Sequence, residues 1–277
     1  MLNPNYISAM KLNIAFILFF TMLLISCHKS DRDKDKDLTS SEDVTLSITA
    51  LNDVFALVDQ YSKSDTGFVR SAQDYFPACA KITKDTNSSP VSFTVDFGTS
   101  DCASTPDAKN RKGKVIVEFF GNPMQVGSKY KIKTADYSVN NKTAIVAITV
   151  TNKGKNTAGN ILFALEITEA KINSDKNSVL ATGVLYYEWT AGSTTVKDFK
   201  DDTYTVTGNL EGLNSSGGNF NASVLTGLKF STSCETPSEG SIELWPNGLS
   251  KRVIKFANSC STTATVSLNG VEESIEL

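Results

Sequence analysis

The stretch Val91-Ser92-Phe93-Thr94-Val95-Asp96-Phe97 decides the fold class. Apolar residues stand at every second position with Ser, Thr and Asp between them, the period of a strand with one buried and one wet face. The same period returns downstream. Val115, Val117 and Phe119 alternate with Lys114, Ile116 and Glu118, and Tyr130 and Ile132 are flanked by Lys129, Lys131 and Lys133. Further strand-like segments run near 143–151, 160–172, 179–189, 203–208, 219–229, 241–245, 251–256 and 264–268. Turn signals separate them, among them Asn140-Asn141, Ala191-Gly192, Ser216-Gly217-Gly218, Pro246-Asn247-Gly248 and Asn269-Gly270. There is no βαβ alternation and no nucleotide-binding glycine motif. The pattern predicts a mainly β chain: an antiparallel meander or sandwich, or an open barrel.

One segment has a different period. Val44, Ile48, Leu51, Phe55 and Val58 recur at helical spacing and Tyr61 continues the stripe, which predicts an amphipathic N-terminal helix over about 41–62, packed on the sheet. Ser40 with Asp43 three residues on resembles a capping box built with a shorter acid.

The N-terminal end points to the membrane. Lys11 precedes Leu12–Ile25 (LNIAFILFFTMLLI), too short for a comfortable span and matched to the hydrophobic region of a secretory signal, with Met10-Lys11 read as its start. It ends in Leu24-Ile25-Ser26-Cys27, which resembles the lipobox of bacterial lipoproteins. That resemblance implies cleavage before Cys27 and lipid on its sulfur and new amino group, and more than one acyl chain anchors stably. The run HKSDRDKDKD (28–37) holds no apolar residue and reads as a solvated tether. It is similar to the Lys/Asp-rich export signal of many Bacteroidota surface lipoproteins; a cell-surface and a periplasm-facing placement at the outer membrane both stay open. The expected division is a signal at 1–26, the lipidated Cys27 and tether at 27–39, the helix and its connection at 40–78, and a β domain at 79–277.

Composition excludes whole chemistries. Among 277 residues there is one histidine, His28, and it lies in the tether. The globular part therefore lacks Ser-His-Asp and Cys-His catalysis and any zinc site that needs imidazole. A formal net charge of −3 without basic clusters argues against a nucleic-acid partner.

Beyond Cys27 there are four cysteines: Cys79, Cys102, Cys234 and Cys260. In an exported chain an even number reads as two disulfides with three pairings open. Local context favours Cys79–Cys102 and Cys234–Cys260, since each pair brackets a strand ending in Phe (Phe97, Phe256) and each second cysteine precedes another strand. This similarity suggests two related β units, about 79–150 and 200–277. The absence of C-x-x-C spacing argues against a redox or metal pair.

The order of lipobox, Cys79, Val95-Asp96-Phe97-Gly98, Cys102, Arg111-Lys112-Gly113-Lys114, Glu188-Trp189-Thr190-Ala191-Gly192, Asp201-Asp202-Thr203-Tyr204, Cys234 and Cys260 resembles a group of β-rich lipoproteins of Bacteroidota. The resemblance covers most of the chain from Cys79 onward and supplies no catalytic residues, cofactor or metal.

Carboxylates are the remaining catalytic currency: Asp96, Asp101, Glu118, Glu166, Glu169, Asp201 and Asp202. A glycosidase needs two of them about 5–10 Å apart in a cleft. Asp201-Asp202 also reads as a polar turn entering the strand at Tyr204, and no calcium-loop spacing surrounds it. Tyr187 and Trp189 share one strand face and Tyr186 takes the other; an exposed Tyr/Trp face suits sugar stacking, and the same pair also suits a core. The candidate ligand residues are thus Tyr187, Trp189, Asp201 and Asp202. The expected function is a lipid-anchored, non-catalytic binding or scaffold module for a glycan, an envelope protein or an apolar ligand. The competing expectation is a carboxylate-dependent hydrolase acting on polysaccharide.

Overall fold

The computed structural model describes residues 35–62, 77–103, 108–195, 198–232 and 234–277, with Tyr61 and Ser62 as backbone alone. Cys27, the lipobox and most of the tether lie outside the described residues. Lys36–Leu277 forms one compact unit.

The chain is mainly β, as the alternation predicts. After one helix, α1 (Thr39–Ser62), come β1 (Lys81–Asp85), β2 (Val91–Asp96), β3 (Cys102–Ala103), β4 (Asn110–Phe119), β5 (Lys129–Val139), β6 (Lys142–Lys155) and β7 (Ile161–Asn173). Then follow β8 (Ser178–Ala191), β9 (Thr203–Leu213), β10 (Asn219–Ser231), β11 (Glu239–Pro246), β12 (Arg252–Phe256), β13 (Thr263–Leu268) and β14 (Val271–Glu276). All belong to one antiparallel sheet in sequence order, except that β3 pairs β4 beyond the end of β2. The sequence pattern missed three of them. β1 and β14 are mostly exposed on both faces and β3 is two residues long, so none carries a clear alternation.

Local chemistry sets the hairpins. Val139 pairs Lys142 and Leu268 pairs Val271, so Asn140-Asn141 and Asn269-Gly270 are two-residue turns. All four residues have positive φ, from 47° to 81°, the conformation that matches strand twist and that Asn and Gly tolerate best.

The sheet is open: its end strands β1 and β14 do not pair with each other. Thirteen of its strands follow one another as neighbours, each reversing direction, so β1 and β14 run the same way. Closing them edge to edge would require a parallel pair, and an all-antiparallel barrel needs an even number of strands.

The sheet curls round α1. The helix is buried on every side: the apolar stripe of Val44, Ile48, Leu51, Phe55 and Val58, and also Ser40, Asp43, Ser47, Asp53 and Asp59. Register shifts, which bend a sheet, fall in the successive pairings from β4–β5 through β10–β11. Two glycines tighten the curl between β8 and β9. A Cβ on Gly183 (φ +149°) would stand 2.2 Å from the Asn209 carbonyl oxygen, and one on Gly208 (φ +120°) 2.2 Å from that of Val184. Only a residue without a side chain allows so close an approach.

The helix start differs from expectation. It begins at Thr39, and the Thr39 amide donates to Asp37 Oδ1 at 2.8 Å. The Ser40/Asp43 capping box does not form, because Asp43 is drawn into the sheet: Asn177 Nδ2 (2.7 Å), the Ser215 amide (2.6 Å) and Ser215 Oγ (2.7 Å) all donate to it. Nor is the end of the tether wholly solvated, since the buried Arg252 guanidinium donates to the Asp37 carbonyl oxygen.

Both expected disulfides are present, Cys79–Cys102 and Cys234–Cys260. The first binds the chain before β1 to β3; the second joins the β10–β11 and β12–β13 connections. They sit toward opposite ends of a continuous sheet.

Candidate functional site

The alternation expected in β8 is observed, and α1 assigns its faces. Tyr187 and Trp189 point inward and are fully buried, and Tyr186 points outward. The Tyr187 ring lies 4.3 Å, centroid to centroid, from Phe55 of the helix, and Trp189 stacks on Tyr204 at 6.3 Å. Trp189 Nε1 donates to Asp202 Oδ1 at 3.0 Å, which satisfies both groups in the interior. Tyr187, Trp189 and Asp202 therefore come together as core, out of reach of a ligand in solvent. Asp201 stands apart on the surface, closing a short 3-10 turn (Phe199–Asp201) and accepting from Thr195 Oγ1 at 2.6 Å.

The other acids are dispersed. Asp96 on β2 pairs with Lys114 at 3.0 Å, and the Gly98 amide, then Lys114, hold its carboxyl below the usual range. Asp101 pairs with Lys112. Glu118 lies on β4 and Glu166 and Glu169 on β7, on the outer face. Among the described residues no cleft gathers two of these acids. Lys129, Lys131 and Lys133 are exposed on β5, which has a neighbouring strand on each side.

The polar side of α1 is where buried charge collects. Asp53 accepts from Arg111 Nη2 at 2.7 Å, Lys109 Nζ at 2.8 Å and Tyr137 Oη at 2.6 Å. Burial alone would raise the Asp53 pKa; the charges of Arg111 and Lys109, with their hydrogen bonds, outweigh it and hold the carboxyl well below the carboxylate range. Asp59 accepts from Tyr204 Oη. Burial first, and the charges of Asp59 and Asp202 after it, raise the Tyr204 hydroxyl. These groups lock the helix to the sheet; the cavity beside Asp59, Tyr204 and Asp202 is about 30 Å³, too small for a sugar ring.

The outer face of β8–β11 is different. Six large apolar side chains are exposed there, from 37% for Val184 and Leu213 to 59% for Leu225, with Leu180, Tyr186 and Trp245 between. Leu180 and Leu213 are direct cross-strand partners. β10 carries a bulge between Ser223 and Leu228, and Leu225 within it is exposed. Next to Trp245 lies a shallow hollow of about 290 Å³, lined by Gly183, Val184, Leu210 and Ala222 together with the polar Asn209, Glu211, Asn221 and Ser223. Register arranges these in two rows across four strands: Trp245, Asn221, Glu211 and Thr182 in one, Glu243, Ser223, Asn209 and Val184 in the next. At about 4.8 Å per strand the first row is some 14 Å long.

Sequence reasoning passed over this surface, although a signal existed. Ile242 and Leu244 alternate with Glu243 and Trp245, which places the tryptophan on the wet side of β11. A second depression, about 400 Å³, lies where α1 nears the end of β14, lined by Glu42, Leu46, Thr49, Lys142, Lys176 and Glu276. Its charges are of both signs and it holds no aromatic platform.

No known family model, curated protein or solved structure matches this chain, so the reading of the site rests on its own residues.

Proposed function

We propose that this protein is a non-catalytic binding module of the cell envelope, held at the outer membrane by lipid on Cys27, with the outer face of β8–β11 as its docking surface. The observation that carries the binding reading is the grouping of six exposed apolar side chains on one face of a disulfide-braced sheet, two of which, Val184 and Trp245, line a mainly apolar hollow that also presents Asn209, Glu211, Asn221 and Ser223. Large exposed apolar patches are costly in water and mark sites of interaction. Two other readings gain less support. The position an interior apolar ligand would take is filled by α1. A two-carboxylate hydrolase needs a pair of acids, and the hollow is lined by one, Glu211.

The anchor rests on the lipobox and the charged tether that follows it. Cys27→Ala should move the protein from the membrane fraction to the soluble one while both disulfides still form. Unchanged fractionation would refute the anchor. Protease access on intact cells then separates a surface-facing from a periplasm-facing placement.

A further inference from the structure

We infer that the hollow beside Trp245 is a carbohydrate site, and that its ligand is a neutral oligosaccharide lying across β11, β10 and β9. The inference rests on the reading of the β8–β11 face as the docking surface and names the chemical class that the surface takes.

Three features converge on that class. Trp245 leaves 39% of its surface in water at the end of a row whose other members, Asn221, Glu211 and Thr182, are polar. An indole face in that position suits the C–H face of a pyranose ring, apolar and flat, better than an aliphatic chain, which would sooner bury all round. Directly across the ladder from Trp245 stands Asn221, and across from Asn221 stands Glu211; Asn209 and Ser223 form the parallel row. Amides both donate and accept, a carboxylate accepts, and a serine does either, which is the mixture that hydroxyl groups around a sugar ring require. The third feature is charge. Glu211 lines the hollow, Glu243 lies in the adjoining row with Lys251 bonded to it, and no lysine or arginine lines the hollow among the described residues. Uronic acids, sulfated sugars and phosphates would meet a carboxylate with no cation to offset it. Neutral sugars incur no such penalty.

The row geometry also sets the direction. Trp245, Asn221 and Glu211 follow one another perpendicular to the strands, so a chain stacked on the indole continues over the amide and carboxylate. Thr182 and Val184 on β8 close the far end.

The chain holds two tryptophans, and Trp189 is fully buried, so exposed-tryptophan chemistry reports on Trp245 alone. The detergent-solubilised full chain should be titrated with neutral gluco-, xylo- and manno-oligosaccharides and with oligogalacturonate. Expected are protection of tryptophan fluorescence from acrylamide by at least one neutral series and none by oligogalacturonate. Trp245→Ala should weaken binding about tenfold or more, the loss expected of one stacked aromatic, while Trp245→Phe recovers part of it. Ile145→Ser, an exposed position on β6 outside the β8–β11 face, should leave it unchanged. Binding of oligogalacturonate alone, or neutral binding indifferent to Trp245→Ala, would overturn the proposal. Oxidative footprinting of Trp245 on intact cells separates the two levels. Protection there without any saccharide binding refutes the carbohydrate and keeps the docking face; full oxidation in both settings refutes both.

Discussion

Asp53 shows how a single side chain holds the helix within the sheet. It is the meeting point of Lys109, Arg111 and Tyr137, which lie 56, 58 and 84 residues away in sequence. Its depressed pKa is a statement about stability: the contribution is fully present above the unfolded value of about 3.9 and is lost as pH falls through the lower folded value. Tyr137 acts with opposite sign. Burial, then the Asp53 charge, raises its hydroxyl, so its contribution is present below about pH 10 and is lost as pH rises beyond that. Asp53→Asn should therefore cost about 3–5 kcal/mol at pH 7, since it removes a buried carboxylate on which Arg111, Lys109 and Tyr137 converge. It should also flatten the loss of stability below about pH 4. Urea melts of wild type and variant across the acid range and at neutral pH test both; equal acid slopes would count against Asp53 as the titrating group. None of this was legible in the sequence, because an aspartate in a polar helix face looks the same whether it meets water or a guanidinium.

At the scale of elements, eleven of the fourteen described strands were legible and the faces were not. Alternation in β8 showed that Tyr187 and Trp189 go together and Tyr186 goes opposite; it carried no information on which set met the helix. The helix itself was legible from its apolar stripe, whereas burial of Asp43, Asp53 and Asp59 on its other sides was not, since their partners lie on strands and turns remote in the chain. The cysteines were legible because each pair brackets local strands. Each bond joins residues 23 or 26 apart, a loop whose closure stabilises by about 3 kcal/mol on the chain-entropy model. Cys102 pairs across the ladder with Arg111, so the first disulfide braces the strand that carries the partner of Asp53. Replacing Cys79 and Cys102 together by Ser should lower stability by about 3 kcal/mol and speed amide exchange in β1, β2 and β3 more than in β6–β8. Uniform exchange across the sheet would argue against a local brace.

For the whole molecule, the helix is what makes a long meander cooperative. It packs on β7, β8, β11 and β14 and bonds to side chains of β4, β5 and β9, so strands far apart in the sheet share one partner. Unfolding should then be a single transition, with the fluorescence of buried Trp189 and the far-ultraviolet strand signal sharing one denaturant midpoint. Two separated midpoints would instead favour two β units behaving independently. The sequence by itself determined what depends on neighbours in the chain: the period-two strands, the Asn-Asn and Asn-Gly turns and the helical stripe, and it favoured one of three pairings of the cysteines. Tertiary structure alone decided which strand face turned inward, that the sheet stayed open, and that Trp245 and not Trp189 faces water. The physical reason is that periodicity is a local property of the backbone, whereas the choice of face depends on what lies across the core. Here that is a helix whose hydrogen bonds reach across 134 and 145 residues of chain.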